Sequence, residues 1–260
     1  MRMHRLSFTV ATTIASRAIL YRDRAMRRVA RLSSDAPEDV SVSQHWISSG
    51  ANRLHAAYVG PAATPPKAAL LICHGIGEIV EYWFPVQQLL AANGVASLVF
   101  DYSGYGRSSG SIDWSQCELD AVNAFEYLKR VAPSTPISIL GLSMGSGVAA
   151  AIIDKVTPQR LFLCGSFTSY RAAACSVFLP RFLSAIVPPI WNSQETLRNC
   201  PIPVVIVHGE KDPLFPVQMA ADLASACGEN AELIVVPDLS HNEPFYKPRL
   251  SYWNLIISRL

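Results

Sequence analysis

Eight short apolar runs alternate with helical stretches along most of the chain, and this alternation restricts the fold more than any other feature. The runs are VSQHWIS (42–48), RLHAAYV (53–59), AALLICH (68–74), VASLVFDY (95–102), PISILGL (136–142), RLFLCGS (160–166), PVVIVHG (203–209) and AELIVVP (231–237). Their length and β-branched content mark them as strands. The first two lie close together around Gly50-Ala51-Asn52 and read as an antiparallel pair. The later runs are nearly solid Val, Ile, Leu and Ala, the pattern of strands covered on both faces. Between them, residues 79–92, 114–131, 144–156, 216–227 and 242–260 have helical character. The order implies an α/β fold: a mostly parallel eight-stranded sheet with an antiparallel N-terminal pair and helices on both faces.

Composition agrees with a filled interior. Half of the 260 residues are hydrophobic and 16% are charged, which excludes a disordered chain. No uninterrupted apolar run reaches the roughly 18 residues of a membrane span. The six cysteines are scattered, without a C-x-x-C pair, and are expected to be reduced, which points to the cytoplasm. Charge is split along the chain. Residues 1–34 hold eight arginines and a single acid, Asp23, and the remainder carries 14 basic and 19 acidic residues. The mildly acidic body is a poor match for nucleic acid. Residues 1–40 therefore read as a basic arm ending in the linker SSDAPEDV, and 41–260 as the folded domain. From Ala18 onward the arm has an arginine face opposite an apolar one, as in a helix packed on the domain, a peripheral anchor for anionic membrane, or a targeting segment.

A motif stands where the fifth run gives way to a helix: GLSMG, residues 141–145. Taken alone, G-x-S-x-G is weak, since a surface turn also favours Gly and Ser. In this context it gives Ser143 a sharp strand-to-helix turn, with small residues on both sides and the unpaired N–H groups of a helix start beside it. A serine nucleophile needs a base held in one tautomer by an acid. The loops after the last two strands carry Asp212, in HGEKDPLFP, and His241, in SHNEPF. Ser, Asp, His is also the chain order of the α/β-hydrolase triad. Glu210, Asp222 and Asp238 remain alternative acids. A second oxyanion donor is available in LLICHGIGE, where the N–H of Ile76 pairs naturally with that of Met144.

HGIGE (74–78), DYSGYGRSSG (101–110), GLSMG (141–145), HGEKDPLFP (208–216) and SHNEPF (240–245) together resemble the α/β-hydrolases, in the branch of monoglyceride-lipase-like and lysophospholipase-like serine hydrolases. The resemblance implies Ser143 as nucleophile, Asp212 as acid, His241 as base, and Ile76 and Met144 as oxyanion donors. It departs in one respect. Relatives with bulky substrates often insert a large helical cap before the acid loop, whereas only residues 167–202 fill that interval here, so any cap is small.

The expected activity is hydrolysis of a carboxylic ester or thioester of an apolar acyl group, without metal or other cofactor. A peptidase of the same branch and a non-catalytic binding module on the same fold are the alternatives. Dehalogenase and epoxide-hydrolase chemistry need a carboxylate where Ser143 stands. His74 and His208 suit structural hydrogen bonds, and DYSGYGRSSG suits the rim of the site, since it lacks a phosphate-binding glycine pattern. Trp83, Phe167 and Phe215 are the residues expected to line the substrate pocket. The apolar segment 167–191 is expected to cover that pocket, though packing on a helix or on a second copy would also explain it.

Overall fold

The computed structural model describes residues 37–260 apart from Phe178, Asn199 and Lys247. The basic arm lies outside the described residues. The strands are β1 (Val40–Ser49), β2 (Asn52–Pro61), β3 (Ala68–Cys73), β4 (Val95–Phe100), β5 (Ile137–Leu142), β6 (Leu161–Cys164), β7 (Val204–Gly209) and β8 (Ala231–Val236). The helices are α1 (Phe84–Ala92), α2 (Trp114–Val131), α3 (Met144–Ala151), α4 (Tyr170–Val177), α5 (Ser193–Leu197), α6 (Val217–Cys227), α7 (Glu243–Tyr246) and α8 (Leu250–Ile257).

One sheet runs in the order β1-β2-β4-β3-β5-β6-β7-β8. β2 pairs antiparallel with β1 and β4, and the other neighbours are parallel. The solid apolar strands follow from two faces filled alternately. Ala69, Leu71 and Cys73 of β3 pack with Ala121 and Phe125 of α2 and Val148 of α3. Leu70 and Ile72 turn the other way, onto Val86 and Leu90 of α1 and Trp253 and Ile256 of α8. Fully burying one such side chain contributes about 1.5–3 kcal/mol, so a charge on either face of β3 would unseat a helix layer. β8 departs from the expected two-sided cover. It is the sheet edge, and its residues are partly exposed.

Three helices differ from their sequence bounds. α1 begins at Phe84 rather than 79, because Val80–Trp83 form a 3₁₀ turn ahead of it. α3 ends at Ala151 rather than 156, because Ile152, Ile153 and Val156 are β-branched and Pro158 disfavours helix before it. The stretch 242–260 is split into α7 and α8 around Pro248, which can neither donate to a helix nor fit inside one. Among the described residues no helix is long and apolar enough to cross a membrane.

Candidate active site

Ser143 occupies a backbone conformation that side-chain-bearing residues rarely adopt, φ 51° and ψ −119°, as β5 turns into α3. Its N–H donates to Cys164 O at the end of β6 (3.0 Å), and its carbonyl accepts from Ser146 N and Oγ. Both flanking glycines are required by contact. A Cβ on Gly141 would lie 2.4 Å from Gly145 O, and one on Gly145 would lie 1.9 Å from Cys73 O. The second approach brings the start of α3 against the end of β3. It thus sets the N–H of Met144, the first of the helix with no acceptor inside it, beside the loop that carries Ile76.

The loop after β7 holds Asp212. Its Oδ1 accepts Leu214 N (2.8 Å) and Phe215 N (2.9 Å), and its Oδ2 accepts His241 Nδ1 (2.6 Å). Burial raises the Asp212 pKa, but the bonds from His241, Phe215 and Leu214 outweigh it, and the net effect is to hold the carboxyl below its ordinary range. His208 braces the same loop through Nε2 and Phe215 O (2.9 Å). On the imidazole of His241, Nε2 is buried and has no hydrogen-bond partner among the described residues. The bond to Asp212 puts the proton on Nδ1, so the free Nε2 is a base. Gly165, which follows β6, packs on the ring: its φ is +51°, and a Cβ there would lie 3.0 Å from His241 Cε1. Gly165→Ala should lower stability by about 1–2 kcal/mol through the strained backbone alone. A urea-unfolding midpoint unchanged from wild type would show that the loop relaxes at no cost.

The turn carrying Ile76 is held by a buried carboxylate. Glu78 Oε2 accepts Gly75 N (2.9 Å) and Trp83 Nε1 (3.0 Å). Burial pushes the Glu78 pKa up, opposed by those two bonds and by the His241 charge. Tyr105, from the loop after β4, reaches this place through its hydroxyl, 3.8 Å from Met144 Sδ.

The family whose sequence pattern matches residues 64–200 is described as serine aminopeptidase, S33. The match spans just over half of the chain. The chain belongs to the S33 family. Protein bem46 of Schizosaccharomyces pombe is 28% identical over 186 residues, covering 68% of this chain and 62% of that protein. Lysophosphatidylserine lipase ABHD12 of Macaca fascicularis is 29% identical over 156 residues, covering 53% of this chain and 39% of that protein. Both matches thus span less than two thirds of the relative's own length. The Pyrococcus furiosus esterase Pf2001 superposes with a TM-score of 0.68 at 20% identity, covering 88% of this chain and 91% of that one. That likeness establishes the α/β-hydrolase fold.

Within this S33 hydrolase, Phe215 and Phe167 stay beside the candidate site. The Phe215 ring meets the His241 ring edge-on at 5.2 Å, and Phe167 meets Phe215 at 5.4 Å. Trp83 is a correction. It is 1% exposed and packs between Phe245 and Trp253 in the layer of α1 and α8, with its indole N–H spent on Glu78, so it offers no surface to a substrate. DYSGYGRSSG is also less of a rim than expected. Buried Asp101 ties it down, accepting Val80 N, Arg107 N and His55 Nδ1, and Tyr105 is its contribution near the site. His74 is fully buried with Nδ1 2.8 Å from Gly75 O, a structural bond. Of the alternative acids, Asp238 pairs with Lys211 in solvent and Asp222 accepts from Gln218 on α6, while Glu210 is exposed. Gly165 and Glu78 were not picked out by residue type. The only sequence signals were a glycine ending an apolar run and an acid three residues after Gly75.

Proposed function

We propose that this protein is a serine hydrolase that cleaves a carboxylic ester or thioester of an apolar acyl group through an acyl-enzyme. The observation that carries the proposal is the Asp212–His241 bond, which leaves a buried Nε2 with no hydrogen-bond partner among the described residues. Nε2 takes the hydroxyl proton of Ser143 as Oγ attacks the acyl carbonyl, and Asp212 offsets the imidazolium charge that results. The carbonyl oxygen becomes an oxyanion, for which the N–H groups of Ile76 and Met144 are the donors. Collapse of the tetrahedral adduct breaks the bond to the leaving group, which receives the proton from His241. Water then repeats the sequence on the acyl-enzyme. No cofactor enters these steps.

Phe215, edge-on to the His241 ring, backs the site from the core, while Phe167 is 2% exposed and, like Trp83, offers no surface to a substrate. Aminopeptidase chemistry, which the family description names, needs a carboxylate for the substrate's α-ammonium. The aminoacyl-nitroanilide in the test below decides between that chemistry and ester cleavage. The test is a fluorophosphonate probe together with p-nitrophenyl esters of two to sixteen carbons, an acyl-CoA, a monoacylglycerol and an aminoacyl-nitroanilide. Labelling of Ser143 with turnover of esters is the expected result. Turnover of the nitroanilide alone makes the protein a peptidase, and no labelling makes it a binding module.

A further inference from the structure

The turn carrying Ile76 is fastened around the one N–H that the proposed chemistry takes from it. Gly75 O accepts from Glu78 N (3.3 Å) and from His74 Nδ1 (2.8 Å), closing a tight turn whose third residue, Gly77, has φ 74°. A trans peptide is planar, so holding that carbonyl aims the N–H of the same peptide, that of Ile76, the opposite way. The Ile76 N–H has no acceptor of its own among the described residues. The preceding peptide is held by a side chain. Glu78 Oε2 accepts Gly75 N (2.9 Å), and the carboxylate lies so close to Gly75 that a Cβ there would be 3.2 Å from Oε1. That carboxylate is fixed from the core. Trp83 Nε1 donates to the same Oε2 (3.0 Å), and the indole packs on Phe245 and Trp253 in the layer of α1 and α8.

A buried carboxylate is a costly fastener: Glu78 is 7% exposed, and burial pushes its pKa up against those two bonds. What it supplies in return is a stiff line from the core through Trp83 to Gly75. The N–H of Met144 is set by backbone contact, Gly145 against Cys73 O, whereas the turn carrying Ile76 stands out with Ile76 42% exposed and hangs on side-chain bonds. The charge of His241 acts on Glu78, so the carboxylate lies within the field of the Asp212–His241 pair. We propose that Glu78 is the positioning residue of the oxyanion site, holding the Ile76 N–H where charge develops on the substrate oxygen. This rests on the ester-hydrolase function proposed above. Glu78 acts through the peptides on either side of Gly75 and not on the reacting atoms. A donor that matters only once the carbonyl oxygen is an oxyanion changes the barrier and not the binding of substrate, so loosening it lowers kcat and spares KM.

The test uses the full chain and measures ester kcat and KM per folded molecule. Beside these stands the inhibition constant of octyl trifluoromethyl ketone, whose carbonyl oxygen becomes an oxyanion when Ser143 Oγ adds to the carbon and its proton passes to His241. E78A should lower kcat about 10- to 100-fold with KM within about twofold, and should weaken the ketone by the same factor as kcat falls. E78Q keeps an oxygen where Oε2 stood, so it should bring kcat back to within about fivefold of wild type. W83F removes one of the two bonds to Oε2 from a buried position that no substrate reaches. It should lower kcat and weaken the ketone together, by about 3- to 10-fold. Should E78A fail to fold, E78Q and W83F decide. Wild-type kcat and ketone affinity in W83F, or in a folded E78A, would overturn the proposal. A raised KM with kcat and ketone unchanged would overturn it too and make Glu78 a substrate contact. E78Q as impaired as E78A would assign the effect to charge beside His241 and not to the turn. Wild type that turns over no ester and takes no fluorophosphonate removes the hydrolase function itself, and the role of Glu78 with it.

Discussion

Ser143→Ala should abolish fluorophosphonate labelling and lower ester turnover by several orders of magnitude, leaving only what the oxyanion donors and binding supply. Its fold should be retained. The turn is held by backbone groups, Ser143 N to Cys164 O and Ser146 to Ser143 O, and by the close approach of Gly145 to Cys73, none of which uses the hydroxyl. A second variant separates chemistry from strain. At φ 51° and ψ −119° Ala is as strained as Ser, whereas Gly is at ease, so Ser143→Gly should be as inactive as Ala but more stable by about 1 kcal/mol. Paired measurements of kcat and urea midpoints check both. If Ser143→Ala keeps more than about a tenth of the activity, another nucleophile does the work.

The sheet was legible because its inner strands are buried on both faces, which requires an apolar residue at every position and writes an unbroken signal. β8 carries the same residue types, yet as the edge strand it is half solvated, and strand position within a sheet leaves no mark on a hydrophobic run. Ser143, Asp212 and His241 stand out as candidates because each follows a strand at the end where loops converge. Asp212 is preferred over Asp238 from the sequence because the loop directly after β7 best places it, and in the structure Asp212 meets the imidazole while Asp238 pairs with Lys211. Trp83 shows where residue type misleads. An indole a few residues after the turn carrying Ile76 looks the same whether it faces a cleft or the core. What decides is the approach of α8 and the bond to Glu78, and both are contacts distant in sequence or set by a turn. The short helices of 167–202 were missed for a related reason: α4 is mostly small residues and the 3₁₀ turn Arg181–Ile186 exposes Phe182 and Ile186, so neither shows the usual amphipathic order.

Asp212→Asn should cost roughly 10³–10⁴ in kcat with little change in KM, because the loss falls on the imidazole and not on binding. The carboxylate uses both oxygens as acceptors: Oδ1 for the N–H groups of Leu214 and Phe215, Oδ2 for His241 Nδ1. An amide has only one. If its oxygen keeps the loop, its NH₂ faces Nδ1, the ring proton moves to Nε2, and the base can no longer accept from Ser143. If its oxygen faces the ring instead, the two loop N–H groups lose their acceptor and the loop loosens. Asp238→Asn should leave kcat unchanged, since that side chain is exposed and its partner is Lys211. The reverse outcome, a mild Asp212 variant and a severe Asp238 variant, would move the acid. The pH dependence follows from the same pair. In wild type the free imidazole is the working form of the base. Asp212 has a carboxyl held below its ordinary range, so its contribution to stability is complete above the usual carboxylate range and is lost as pH falls through the depressed value. Asp212→Asn should therefore flatten the acid limb of stability, which urea midpoints taken at falling pH check.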